Sequence, residues 1–194
     1  MVQLLLVVIS YFIGTFPSAY FASRFLKDID IRRLGDKNMG ASNVYRHVGH
    51  AVGMAVLATD VGKGAITILL AERITSQPIV LYCGLAVVSG HNWPIFFKLK
   101  GGRGLAATIG VLLALLPVAM GFLLALSAFA FLKTHNLVIT GAVIFAPLSL
   151  LAWRLGSSTE LILYSIALPC FAGLMHFVTT RNLSQEQKHE ALYM

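Results

Sequence analysis

Three polar clusters interrupt an otherwise apolar sequence, and the residue types in each could do chemistry. The first is "KLKGGRGLAAT", residues 98–108. Gly101, Gly102 and Gly104 can turn successive backbone N–H groups into a concave anion nest. An apolar helix beginning just after it would add its N-terminal dipole. Lys100 and Arg103 bring full positive charge, so phosphate is the natural ligand, although a plain tight turn fits the same letters. The pattern G-x-x-x-x-G-K-[ST] is absent, and no nucleoside triphosphate is implied. The second cluster is "KDIDIRRLGDKNMGASNVYRHVGH", residues 27–50. Gly35 and Gly40 permit positive φ or close backbone approach. Asn38, Ser42 and Asn43 can hydrogen-bond, and Arg46 can grip an oxyanion with two N–H groups. An ordinary connecting loop is the competing reading. The third is Asp60 and Lys63 in "LATDVGKGA", with His91 in "GHNWP". At i, i+3 the two charges share one helical face and can pair. Charges inside a membrane span face a bundle interior or a wet cavity. A structural ion pair and a direct ligand role are both open for them, as a hydrogen-bonded interfacial role and a site role are for His91.

These clusters must be positioned by helices. The chain has 194 residues, of which 57% are hydrophobic and 12% charged. A soluble domain is about a quarter charged, so this one has too few charges to cover a globule. The composition predicts an all-α, polytopic membrane protein built as a single domain over residues 1–180, with a short polar cytoplasmic tail at 181–194. Runs of about 20 apolar residues are needed to span the hydrocarbon. They occur at 2–26, 51–73, 78–97, 136–154 and 159–178. The run at 104–132 has Pro117 near its middle, where a backbone donor is lost. It reads as two short helices, 104–116 and 118–132, which makes seven spans. With the N-terminus outside and the C-terminus cytoplasmic, the inner ends hold twelve Lys and Arg residues against Arg73 and Arg154 outside, as the positive-inside rule requires. No basic residue precedes the first run, so it reads as a retained helix and not a cleaved signal.

The formal net charge of +7 fits this topology and contact with anionic lipid headgroups. No basic run is interleaved with exposed aromatics, which argues against nucleic acid. Cys83 and Cys170 lie in apolar runs and read as small core residues. There is no G-x-S-x-G, no H-E-x-x-H and no Cys/His cluster, so neither metal nor cofactor is called for.

Together, "LGDKNMGASNVYR", "LATDVGKG" and "GHNWPIFFKLKGGRGLAAT" resemble the bacterial acyl-phosphate:glycerol-3-phosphate acyltransferase family. Gly35, Asn38, Gly40, Ala41, Asn43, Val44 and Arg46 match a loop pattern close to G-S-G-N-x-G-A-T-N-V-x-R. Gly90, His91, Pro94, Lys100, Gly101, Gly102, Gly104 and Ala106 match a block close to G-H-x-x-P then F-K-G-G-K-G-V-A-T. The resemblance implies a seven-helix enzyme of the bacterial inner membrane with its site at the cytoplasmic face. Its substrates would be acyl phosphate and glycerol 3-phosphate, and its products lysophosphatidic acid and phosphate.

On that reading Arg46 and the nest at 101–104 hold phosphate, and Lys100 and Arg103 counter its charge. Asn38 and Asn43 orient a substrate, while Gly40, Ser42, Asp60, Lys63 and Thr140 complete the binding set. His91, Arg103 and Asn182 are the candidate catalytic residues. The departures are informative. Asp36 stands at the serine of G-S-G-N, Lys37 at the following glycine, and Arg103 at the lysine of G-G-K-G. Thr140 keeps a hydroxyl at one usual serine position, and Leu137 replaces another. Of the C-terminal block H-x-x-N-I-x-R-L, only Asn182 and Leu183 are recognisable. An anion at Asp36 would oppose bound phosphate unless it pairs with Lys37 or a neighbouring arginine. Two other readings compete with the enzyme: an inactive paralogue that binds a phosphorylated metabolite or lipid, and a small organic-anion transporter.

Overall fold

The computed structural model describes residues 1–192. Among them six helical segments are long and apolar enough to cross a membrane, and a seventh apolar helix is shorter. The protein is therefore an all-α, polytopic membrane protein.

The first span departs from the single helix expected at 2–26. It is built from α1 (Val2–Gly14) and α2 (Ser18–Lys27). Pro17 causes the break, because it has no N–H to donate and disfavours helical φ/ψ in the residue before it. The region read as a connecting loop carries a 3₁₀ turn (Ile31–Arg33) and a short helix α3 (Ala41–His47). Helix α4 (His50–Ile74) follows, then α5 (Ile79–Asn92), whose span is completed by a 3₁₀ turn at Ile95–Phe97. The long run then divides at Pro117 into α6 (Leu105–Leu115) and α7 (Pro117–Thr134). The stretch expected as one helix at 136–154 is interrupted before Pro147, giving α8 (Leu137–Phe145) and α9 (Leu148–Arg154). Helix α10 (Thr159–Thr180) closes the bundle, and the tail forms α11 (Gln185–Leu192).

Helix α6 is the hub. Ile68, Val87, Val111, Leu112, Met120, Leu148 and Leu168 from six helices form a common core around it. Glycine sets how closely the helices approach. A methyl group at Gly110 would strike the Val61 carbonyl, and one at Gly64 the Ala107 carbonyl, so α4 and α6 touch backbone to backbone. Gly14 against Val87 and Gly90 against Tyr11 do the same for α1 and α5. Small residues permit such contact where lipid supplies no hydrophobic drive between helices.

A second cluster, of Ala19, Ile31, Met39, Val44, Val48 and Val56, seats the segment before α4 onto α2 and α4. Arg32 fastens it further. Its guanidinium makes two 2.8 Å hydrogen bonds to Asp30 and lies 4.8 Å from the Tyr20 ring centre and 5.7 Å from that of Phe97.

The loop before α6 is recessed into the bundle, with Gly102, Arg103 and Gly104 all buried; irregular backbone survives there only if protein satisfies its polar groups.

Candidate active site

Two segments far apart in sequence meet in this recess. Arg46, on the last turn of α3, and Arg103, just before α6, converge on one carboxylate. Asp36 Oδ2 lies 2.9 Å from Arg103 Nη1 and 3.4 Å from Arg46 Nη2. The Asp36 side chain is fully buried and Arg103 nearly so, and Arg46 is largely buried. Asp36 is held from its own turn as well, since the Asn38 backbone N–H donates to Oδ1 at 3.2 Å. Burial pulls the Arg46 guanidinium below its ordinary value, and the Asp36 and Glu190 carboxylates oppose that shift. The Nε of Arg103 is buried with no protein acceptor among the described residues, which leaves it as a donor for a ligand.

The loop at 101–104 works differently from the nest expected of it. The Gly101 N–H donates to the Asn92 carbonyl at 3.0 Å and the Gly102 N–H to the His91 carbonyl at 3.1 Å. Both donors are thus spent on the end of α5, because a recessed loop must first satisfy its own backbone. What the glycines provide is room. A side chain at Gly102 would collide with the His91 ring, and one at Gly101 with the His91 carbonyl. Gly104 caps α6 at φ +84°, a left-handed conformation natural to glycine. The loop's charge reaches the site through Arg103, while Lys100 is exposed at the rim.

Beside the loop lies a buried polar relay. Lys63 Nζ is 2.9 Å from Asp60 Oδ1 and 2.7 Å from His91 Nδ1. Ser18 Oγ donates to the same Asp60 oxygen at 2.8 Å. The Phe16 carbonyl, at the break before Pro17, accepts from Lys63 at 3.3 Å and from the Ser18 N–H at 3.1 Å. A lysine ammonium can only donate. With Lys63 charged, the Nδ1 of His91, which is also 3.6 Å from Asp60 Oδ1, accepts from it and the ring proton is on Nε2, the atom that faces Gly102. A cavity of about 10 Å³, bordered by Ser18, His91, Gly101 and Gly102, adjoins the ring; it is the size for about one water.

The remaining candidates divide clearly. Asn43 is buried, and its amide donates to the carbonyls of Ile31, Leu34 and Asn38 at 3.0–3.2 Å. It braces the loop from within. Gly40 caps α3, with Asn38 packed where a side chain would go. Ser42 is half-buried on the first turn of α3. Thr140 donates to Asn136 of its own helix at 2.8 Å. Asn182 is exposed on the turn between α10 and α11.

The tail brings residues that the sequence reading did not select. Gln187 donates to the Gly35 carbonyl at 3.0 Å, and Glu190 lies 3.7 Å from His47. Helix α11 thus lies over the turn that holds Asp36. Its signal in the sequence was only a polar segment of alternating charge.

Fold and site define a polytopic membrane protein in which two buried arginines from distant segments pair with one carboxylate. Comparison with known proteins gives the particular family. The family described as glycerol-3-phosphate acyltransferase matches residues 4–186, and the chain belongs to it. A glycerol-3-phosphate acyltransferase of Dehalococcoides mccartyi is 43% identical over 179 residues, which cover 92% of this chain and 97% of that one. Another, of Thermoanaerobacter pseudethanolicus, is 35% identical over 91% of this chain and 89% of its own. The fold is similar to crystal structures of PlsY, an integral membrane glycerol 3-phosphate acyltransferase. The glycerol 3-phosphate form has a TM-score of 0.81 at 28% identity, covering 93% of this chain and 91% of that one. The lysophosphatidic acid form has a TM-score of 0.79 at 26% identity over the same shares.

Proposed function

We propose that this chain transfers an acyl group from acyl phosphate to the sn-1 hydroxyl of glycerol 3-phosphate. The hydroxyl oxygen attacks the acyl carbon and forms the new ester bond. The bond from that carbon to the phosphate oxygen breaks, and phosphate leaves with the electron pair. The departing phosphate also takes the hydroxyl proton, so the products are lysophosphatidic acid and inorganic phosphate, and no separate base is needed. The observation that carries this reading is the convergence of Arg46 and Arg103 on one buried oxygen, an arrangement suited to phosphoryl oxygens.

The protein's part is then mainly positioning and charge stabilisation. Arg103 and Arg46 bind phosphoryl oxygen, and Lys100 supplies charge at the entrance. His91, with its proton on Nε2, donates towards the glycine loop, and Lys63 and Asp60 hold that tautomer. Asn38 and Asn43 shape the loop that presents Arg46, and Gly40 and Ser42 start its helix. Asn182 and Thr140 are assigned to the same end of the bundle. An apolar groove of about 530 Å³ between α1 and α5, running from Gln3 to Ser89, offers hydrocarbon surface for an acyl chain. The basic residues gather at the Arg103 end, so the N-terminus lies outside and the C-terminus in the cytoplasm of a bacterial cell membrane, with seven helices crossing or entering it.

Family membership and the collection of polar groups at one end favour the enzyme over a non-catalytic binding protein or a transporter. The test is direct. Purified protein supplied with palmitoyl phosphate and glycerol 3-phosphate should release phosphate and form lysophosphatidate. Arg103→Ala should lower kcat/KM by about 100-fold or more, the scale of one lost transition-state donor. Full activity in Arg103→Ala would refute the assignment.

A further inference from the structure

The anion pocket already contains an anion that belongs to the protein. Asp36 Oδ2 stands between the two guanidiniums at 2.9 and 3.4 Å, where an oxygen of a phosphate monoester would make the same contacts. Two buried guanidiniums need a partner in the absence of substrate, since an uncompensated buried charge is strongly destabilising. Asp36 supplies it. A phosphoryl group carries more negative charge than one carboxylate and cannot share these donors with Asp36 without strong like-charge repulsion. We propose that Asp36 is a resident counter-anion which a phosphoryl substrate must displace, so that it sets the pocket's affinity for phosphoryl groups.

The fold gives the carboxylate somewhere to swing from. Asp36 lies in a tight turn between Gly35 at φ +53° and Lys37 at φ +59°, closed by the Lys37 N–H to Leu34 carbonyl bond of 2.9 Å. The Asn38 N–H holds the other carboxylate oxygen, and Gln187 steadies the turn from outside through Gly35. Among the described residues, His47 and Glu190, paired at 3.7 Å, lie beside the same segment. When Asp36 leaves the arginines, the exposed Lys37, next to it in the chain, is a nearby cation. The proposal rests on reading the pocket as a phosphoryl site, so its test is kept separate from the test of turnover.

The shape-conserving variant Asp36→Asn keeps an acceptor for the Asn38 N–H and removes the charge. In steady-state assays of the full-length enzyme, KM should fall by about tenfold or more for the substrate whose phosphoryl group occupies the pocket, and far less for the other. A fall for glycerol 3-phosphate places the acceptor there, and a fall for palmitoyl phosphate places the donor. Inorganic phosphate should also raise the thermal midpoint of Asp36→Asn more than that of the unaltered protein. Unchanged or higher KM for both substrates, with equal stabilisation by phosphate, would overturn the proposal. If Asp36→Asn does not fold, a structure of the unaltered protein with glycerol 3-phosphate or inorganic phosphate bound decides instead. A phosphoryl oxygen on Arg103 with Asp36 moved away supports displacement, and an intact Asp36–Arg103 pair beside a bound phosphoryl group refutes it.

Discussion

At the scale of single residues, the site is governed by how buried charges find partners. Asp60 and Lys63 each serve more than one group: Asp60 accepts from Ser18 and Lys63, and Lys63 reaches His91 and the Phe16 carbonyl. Removing one member leaves the other's charge buried without its counter-charge. Lys63→Met alone and Asp60→Asn alone should each destabilise the protein by about 3–5 kcal/mol, while the double variant should cost less than the sum. Thermal unfolding in detergent checks this, and additive effects would mean that the pair is not coupled. A different balance holds at Asp30, on the loop surface. The Arg32 guanidinium holds its carboxyl below the usual carboxylate range, against a smaller opposing effect of burial. A carboxyl with a lowered folded value stabilises the protein above its unfolded value, and that contribution is lost as pH falls through the folded one. Stability should therefore decline as pH drops below about 4. Asp30→Asn should flatten that part of the pH profile, and an unchanged acid limb would exclude Asp30 as a contributor.

At the scale of elements, prolines and glycines place the chemistry. Pro17 breaks the first span where Lys63 uses the Phe16 carbonyl, and the turn into α2 sets Ser18 on Asp60. The backbone contact between α4 and α6 fixes Asp60 and Lys63 relative to the start of α6, and hence to Arg103. Gly110→Val would force a branched side chain against the Val61 carbonyl. It should cost about 1–3 kcal/mol or more by overpacking, read as a lower thermal midpoint. Gly121, with open space around its Cβ position, is the control, and Gly121→Ala should be tolerated. Equal midpoints for the two variants would contradict the close α4–α6 contact.

At the scale of the whole molecule, the first connection and the tail meet at the turn that holds Asp36. The turn at Gly35 belongs to the first connection after α2, and α11 returns to it from the C-terminus. Ala191 is buried although the surrounding segment is polar. Removal of residues 185–194 should raise hydrogen exchange at 34–40 by about tenfold or more and leave the α4–α7 core protected. Exchange unaltered at 34–40 would mean that the tail does not steady the turn.

Composition and local chemistry by themselves determined that this chain is a bundle of membrane helices, because so few charges cannot cover a globule. The division at Pro117 was equally legible, since a missing N–H acts within its own turn. So was the pairing of Asp60 with Lys63, two charges that are expensive to carry among apolar residues and lie at i, i+3 on one helix face. Pro17 and Pro147 offered the same local signal, but unbroken hydropathy on both sides concealed their interruptions. Only the tertiary structure decided which charges meet. Asp36 on both arginines, Lys63 on His91, the glycine N–H groups spent on the end of α5, and the tail over Gly35 are contacts between distant segments. A pairing energy depends on distance and burial, and neither is written in the order of residues until the helices have packed.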